Sequence, residues 1–106
     1  MYGGEYAKLF PKIDFVFTHT GYYEFGMSSI EVASKTKNVW VETSGQMNPE
    51  ILKQSVKILG PERVVFGTDW PYKPMNIEIE KFDHLGLKNR DLEKIFYKNA
   101  EYLWRY

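Results

Sequence analysis

Three short runs rich in β-branched and aromatic residues dominate this chain, at 13–18 (IDFVFT), 39–44 (VWVETS) and 63–68 (RVVFGT). Runs of that length and composition read as strands. They end in step: His19, Ser44 and Asp69 mark the strand mouths, 25 residues apart each time. The segments between them carry helical spacing. Residues 28–35 present Ile30, Val32 and Ala33 as a weak apolar stripe. Residues 49–59 present a stronger one, with Ile51, Leu52, Ser55, Val56 and Leu59 on one face. Asn48 suits the N-cap of that helix, Pro49 its first turn and Gly60 the position after its end. Two more helices are predicted, over 77–84 and 91–104. Asn89 is placed to cap the second, Leu92, Ile95, Phe96 and Leu103 form its apolar side, and a break is expected near Asn99.

Strands alternating with helices imply right-handed βαβ crossovers and a parallel sheet, so the fold class is α/β. A repeat of about 25 to 30 residues is the βα unit of a TIM (β/α)8 barrel, in which eight units fill roughly 250 residues. The chain, at 106 residues, therefore reads as a single partial TIM-barrel domain over 1–106. Three parallel strands cannot close a barrel. Their two edges would expose unpaired backbone groups, and parallel strands want both faces covered. Three arrangements answer this: a fragment, a split gene product that docks with a partner, or a small open α/β domain.

Composition narrows the partners. Fourteen basic and fourteen acidic residues leave a formal net charge of zero. Nucleic acid and anionic membranes, which both call for a basic surplus, are not expected as partners. No run of about 18 apolar residues offers a spanning helix. The opening MYGGEYAKLF lacks the basic and apolar regions of a signal peptide. Cysteine is absent, which removes disulfides, thiolate chemistry and Cys-based zinc sites. A cytoplasmic location is the expectation.

Ligands of parallel α/β folds bind at the C-terminal ends of the strands. The candidates are thus His19-Thr20-Gly21, Thr43-Ser44-Gly45 and Thr68-Asp69-Trp70-Pro71. A carboxylate at the end of a buried strand is costly unless it meets a metal or hydrogen-bond donors. Gly67, two residues before Asp69 and on the same face, would leave room for an ion or substrate. The competing role for Asp69 is capping a helix or forming a turn. His19 could ligate a metal or carry a proton, or it could be a half-buried histidine bonded to backbone. Ser44 has no Lys or His in sequence placed to activate it as a nucleophile.

The segments FVFTHTG, NVWVETSG, ILGPERVVFGTDWPY and KIFYKNAEYLW resemble the last part of the amidohydrolase-related proteins over about residues 11–105. That family includes metal-dependent hydrolases of amides, esters and lactones, and decarboxylases of aromatic acids. Its pattern is a histidine-bearing strand with His-x-Gly, a strand ending Ser-Gly, a Gly-[Ser/Thr]-Asp-x-Pro strand and a helix with Asn-Ala. Here these are His19-Thr20-Gly21, Ser44-Gly45, Gly67-Thr68-Asp69-Trp70-Pro71 and Asn99-Ala100. The resemblance implies the C-terminal three-strand portion of the barrel. It implies that Asp69 is a metal ligand that also accepts a proton from metal-bound water. It implies that His19 binds a second metal or polarises the substrate. The implied cofactor is a divalent metal, zinc foremost, and the implied partner is a small organic substrate.

Two departures from the pattern matter. The family's His-x-His pair and its fifth-strand ligand are absent, and a zinc site needs at least three protein ligands. The metal site is therefore expected to be incomplete in this chain and to need the missing N-terminal barrel half. The isolated chain is expected to be inactive, to bind metal weakly and to self-associate or dock through an edge strand. Tyr22 stands where many relatives have glycine and is expected to shape the substrate pocket with Trp70. His84, in FDHLGL, reads as structural near a helix end. The expected function is part of a metal-dependent hydrolase or decarboxylase. The alternative is a non-catalytic interaction module, or a subunit that completes an active site with a separate half.

Overall fold

The computed structural model describes residues 2–21 and 25–105. The chain runs α1 (Tyr2–Leu9), β1 (Phe15–Phe17), α2 (Gly26–Ser34), β2 (Val39–Glu42), α3 (Pro49–Leu59), β3 (Val64–Val65), α4 (Met75–Glu80), α5 (Asn89–Glu93) and α6 (Asn99–Leu103). A π-helical turn over Lys94–Lys98 joins the last two. The strands pair in parallel in the order β1-β2-β3. Phe15 is registered on Val39, and Val41 on Val64.

β2 is the middle strand, and Val39, Trp40 and Val41 are all buried. That is the pattern of a parallel strand covered on both faces. Ile30 and Ala33 of α2 and Ile51, Leu52 and Leu59 of α3 pack against it, together with Val64, Phe82, Leu85 and Ile95. Phe66, Phe82 and Phe96 add an edge-to-face aromatic cluster, with ring centroids 4.9 to 6.2 Å apart.

α3 has the predicted bounds because its ends are chemically marked. The Asn48 side chain accepts from Glu50 N–H at 3.0 Å, Pro49 opens the first turn, and Gly60 at φ 83° returns its N–H to Val56. Its buried positions are Ile51, Leu52, Ser55 and Leu59, with Val56 half-buried. α2 lies over 26–34 rather than 28–35, and α4 over 75–80 with a turn carrying the chain to 84. The predicted helix at 91–104 starts earlier, at Asn89, and Asn89 is its first residue; Lys88 is the cap and makes no side-chain bond.

The strands are shorter than their apolar runs. Ile13 lies in a bend, exposed. β1 stops at Phe17 because the chain enters a 3₁₀ turn over Thr18–Gly21, where His19 (φ 59°) and Thr20 (φ 44°) are left-handed. β3 keeps only two ladder residues because the next amide, Phe66 N–H, donates to the carbonyl of Ile95 at 2.9 Å. The π turn leaves that carbonyl available at the strand end, and the expected helix irregularity therefore falls at 94–98, just before Asn99.

Two polar side chains lock the frame. Asn99, nearly buried, donates through Nδ2 to the carbonyls of Pro61 (2.6 Å) and Val64 (2.8 Å), which ties the last helix to the start of β3. Arg63 donates to the carbonyls of Thr36 (2.7 Å) and Val39 (2.6 Å from Nη2, 2.9 Å from Nε) and to that of Ala33. Burial holds its guanidinium below the ordinary arginine value.

Candidate active site at the strand mouths

Each strand delivers a polar residue to one rim. His19 follows β1 by two residues, and its imidazole is half-buried. Its Nδ1 lies 2.7 Å from the carbonyl oxygen of Ser44 and 3.1 Å from Ser44 Oγ. Thr20, fully buried, donates its hydroxyl to the Glu42 carbonyl at 3.1 Å, which anchors the left-handed turn to β2. A non-glycine residue with positive φ is sterically costly and persists only where its surroundings hold it.

Asp69 is reached four residues after β3 and is also left-handed, at φ 55°. Its carbonyl accepts the N–H of Tyr72 at 2.9 Å, so its backbone forms a turn. Its side chain does not cap α4, the helix that follows: Pro74 is the N-cap, and no side-chain cap bond is made there. Asp69, Trp70 and Tyr72 are all exposed, Trp70 at 70% and Tyr72 at 82%. Trp70 N–H donates to Thr68 Oγ1 at 3.2 Å. His84 is exposed in the turn after α4. Tyr22 lies outside the described residues.

Glu42, the last residue of β2, stands between the two predicted site residues. Its Oε2 accepts from the backbone N–H of His19 (3.1 Å) and from the Ser44 hydroxyl (2.9 Å), and its Oε1 accepts from the Ser44 N–H (2.8 Å). The gap at Gly67, expected to admit an ion or substrate, is filled by this carboxylate. A methyl group at 67 would stand 2.8 Å from Glu42 Cδ and overlap Oε1. A carboxylate within an apolar strand is a signal the sequence did contain, because such a group must find donors; which donors, and that it lies against Gly67, appear only in the fold.

The loop after β2 is held from the opposite side. Lys81 Nζ donates to the Thr43 carbonyl (2.5 Å), the buried Glu78 accepts from Gly45 N–H (2.9 Å), and Lys81 and Glu78 are ion-paired. Ser44 is thus fixed on both flanks.

The donor types suit a borderline divalent ion, since imidazole and carboxylate both ligate zinc and manganese. The donor count does not suffice. Among the described residues no three His, Cys, Asp or Glu side chains come together as a metal-holding group. His19 and Asp69 follow strands that are not neighbours in the sheet, since β2 lies between β1 and β3. They share the rim without forming a site alone.

A parallel βα array with its polar residues on the C-terminal rim defines the class to which this chain is assigned, that of α/β-barrel proteins. The amidohydrolase family profile matches residues 1–106, and the chain belongs to that family. Gamma-resorcylate decarboxylase of Rhodococcus jostii is 39% identical over 70 residues, covering 66% of this chain and 21% of that enzyme. A TIM-barrel protein of Bordetella bronchiseptica superposes with a TM-score of 0.83 at 24% identity, over 96% of this chain and 37% of its own. A dihydroxybenzoic acid decarboxylase of Polaromonas sp., solved with manganese and the inhibitor 2-nitroresorcinol, gives a TM-score of 0.60 at 23% identity, over 73% of this chain and 23% of its own. The fold is therefore a three-strand portion of a TIM barrel. The chain spans about a fifth of the length of the curated relatives it matches.

Proposed function

We propose that this chain supplies His19 and Asp69 to the active site of a metal-dependent amidohydrolase-family enzyme that decarboxylates a small aromatic acid. The observation that carries the reading is the backbone at the two mouths. His19 and Asp69 are both left-handed non-glycine residues at the ends of parallel strands, and strain of this kind clusters at functional sites. Decarboxylation is favoured over hydrolysis by the 39% identity to a decarboxylase.

The chain's own residues fill part of the work. His19 is oriented by Ser44 and offers an imidazole nitrogen to a metal or to the substrate. Asp69 is an exposed carboxylate that handles the proton of the reaction. Loss of CO2 from an aromatic acid breaks one C–C bond and requires one proton at the vacated carbon, and a rim carboxylate can hold that proton. Trp70 is proposed to wall the substrate space, with Tyr22. A divalent ion in such a site supplies Lewis acidity. The donors here are too few to hold it, so the other ligands belong to parts of the barrel that this chain does not cover.

The test is a graft. The segment of the Rhodococcus jostii decarboxylase that matches this chain is replaced by the corresponding residues of this chain, and CO2 release is followed with manganese supplied. Asp69→Asn in the graft is expected to lower turnover by about a hundredfold or more, within the range for a lost acid–base group, with the circular dichroism spectrum unchanged. Turnover in the Asn variant equal to that of the unsubstituted graft would remove Asp69 from the chemistry.

A further inference from the structure

We propose that Glu42 is a positioning residue that fixes the imidazole proton of His19 on Nδ1, acting through the hydroxyl of Ser44. Its consequence for catalysis rests on the reading of His19 as a site residue; the relay itself stands on hydrogen-bond geometry.

The number of protons on each group decides the tautomer. A serine hydroxyl carries one. Ser44 Oγ donates it to Glu42 Oε2 at 2.9 Å, and a carboxylate, having no proton of its own, can only accept there. Ser44 Oγ therefore has only lone pairs to offer to His19 Nδ1, 3.1 Å away. The Ser44 carbonyl oxygen, at 2.7 Å from the same nitrogen, is also an acceptor. Two acceptors facing one ring nitrogen require that nitrogen to carry the proton. The neutral imidazole is then the Nδ1–H tautomer, with its lone pair on Nε2. Without the carboxylate the hydroxyl could turn and donate to Nδ1, which would admit the other tautomer. Glu42 closes that alternative.

The rest of the structure serves this placement. Glu42 also accepts the His19 backbone N–H at 3.1 Å, so one carboxylate holds both the left-handed backbone of His19 and the polarity of the group its ring meets. Gly67 leaves the volume that the carboxylate occupies. Lys81 and Glu78 hold Thr43 and Gly45, so the Ser44 carbonyl is fixed from the far side. Partners that set the tautomer of a ligating histidine through its other ring nitrogen are a general feature of metal sites. Here the partner is a serine whose own polarity is set by a third residue.

The test is long-range proton–nitrogen NMR on the chain labelled with ¹⁵N-histidine, at a pH where both imidazoles are neutral. The chain has two histidines, and His84→Gln assigns the spectrum. His19 is expected to show a single Nδ1–H pattern, against an averaged pattern for the exposed His84. In Glu42→Leu, which leaves no side-chain acceptor for the Ser44 hydroxyl, the His19 pattern is expected to become a mixture of tautomers. Adding Ser44→Ala removes the hydroxyl and leaves only the carbonyl acceptor, so the double variant is expected to return to Nδ1–H. A merely structural role for Glu42 would not produce that rescue. An Nε2–H pattern for His19 in the unsubstituted chain overturns the proposal without any variant. So does an unchanged Nδ1–H pattern in folded Glu42→Leu. None of these readouts needs turnover, so a silent graft and a broken relay are separate results.

Discussion

At the scale of single residues, the rim depends on a volume as much as on charge. Glu42 fits because position 67, two residues past the end of β3, has no side chain. Gly67→Ala is therefore expected to displace the carboxylate and cost about 1 to 3 kcal/mol, the usual range for overpacking. Urea unfolding of the variant would measure it, and a loss below about 0.5 kcal/mol would show that the carboxylate moves aside freely. His19 and Asp69 stand out as candidates in the sequence because each ends an apolar run and the mouths of parallel strands are where ligands bind. Glu42 does not, although it lies inside one of those runs. Its partners His19, Ser44 and Gly67 come from three different βα units, and one sequence does not show which of them a strand carboxylate meets. The clash that makes Gly67 informative exists only once β2 and β3 are in register.

At the scale of elements, chemistry at the ends decides what is legible. α3 is marked by Asn48, Pro49 and Gly60, and its observed bounds equal the expected ones. The last helix carries a misleading mark at its start, Asn89, which is its first residue and not its cap, and its irregularity is created by tertiary structure. The Ile95 carbonyl leaves the α-helical pattern and receives the Phe66 amide, which also ends β3. The Asn99 side chain completes this junction. Asn99→Ala leaves the buried carbonyls of Pro61 and Val64 without a donor and is expected to cost about 1 to 3 kcal/mol. Asn99→Asp is expected to cost more at neutral pH, because a carboxylate has no proton to give those carbonyls. Thermal unfolding of the two variants side by side checks the order. An Asp variant as stable as the Ala variant would mean that the junction is wet enough to screen the charge.

At the scale of the whole molecule, the chain is a compact body. Its radius of gyration is 12.9 Å, as expected for a domain of about 100 residues. Among the described residues there is no helix long and apolar enough to cross a membrane. The described residues bring together no three metal-ligating side chains, so calorimetric titration of the chain with zinc or manganese is expected to show binding no tighter than about millimolar, the level of an incomplete site. One tight ion per chain would mean that donors other than His19 and Asp69 are in play. Among the described residues β1 pairs with β2 alone, and beside it Ile13, Val16 and Trp104 are exposed around a groove. We propose that this edge receives the neighbouring strands of the same barrel. Reaction order then becomes informative. If those strands lie on the same polypeptide, closing the barrel is first order and does not depend on dilution. If they arrive on another chain, closure is second order and competes directly with pairing between two copies of β1. The yield of closed barrels against protein concentration would thus report whether evolution has kept this piece covalently joined to the rest.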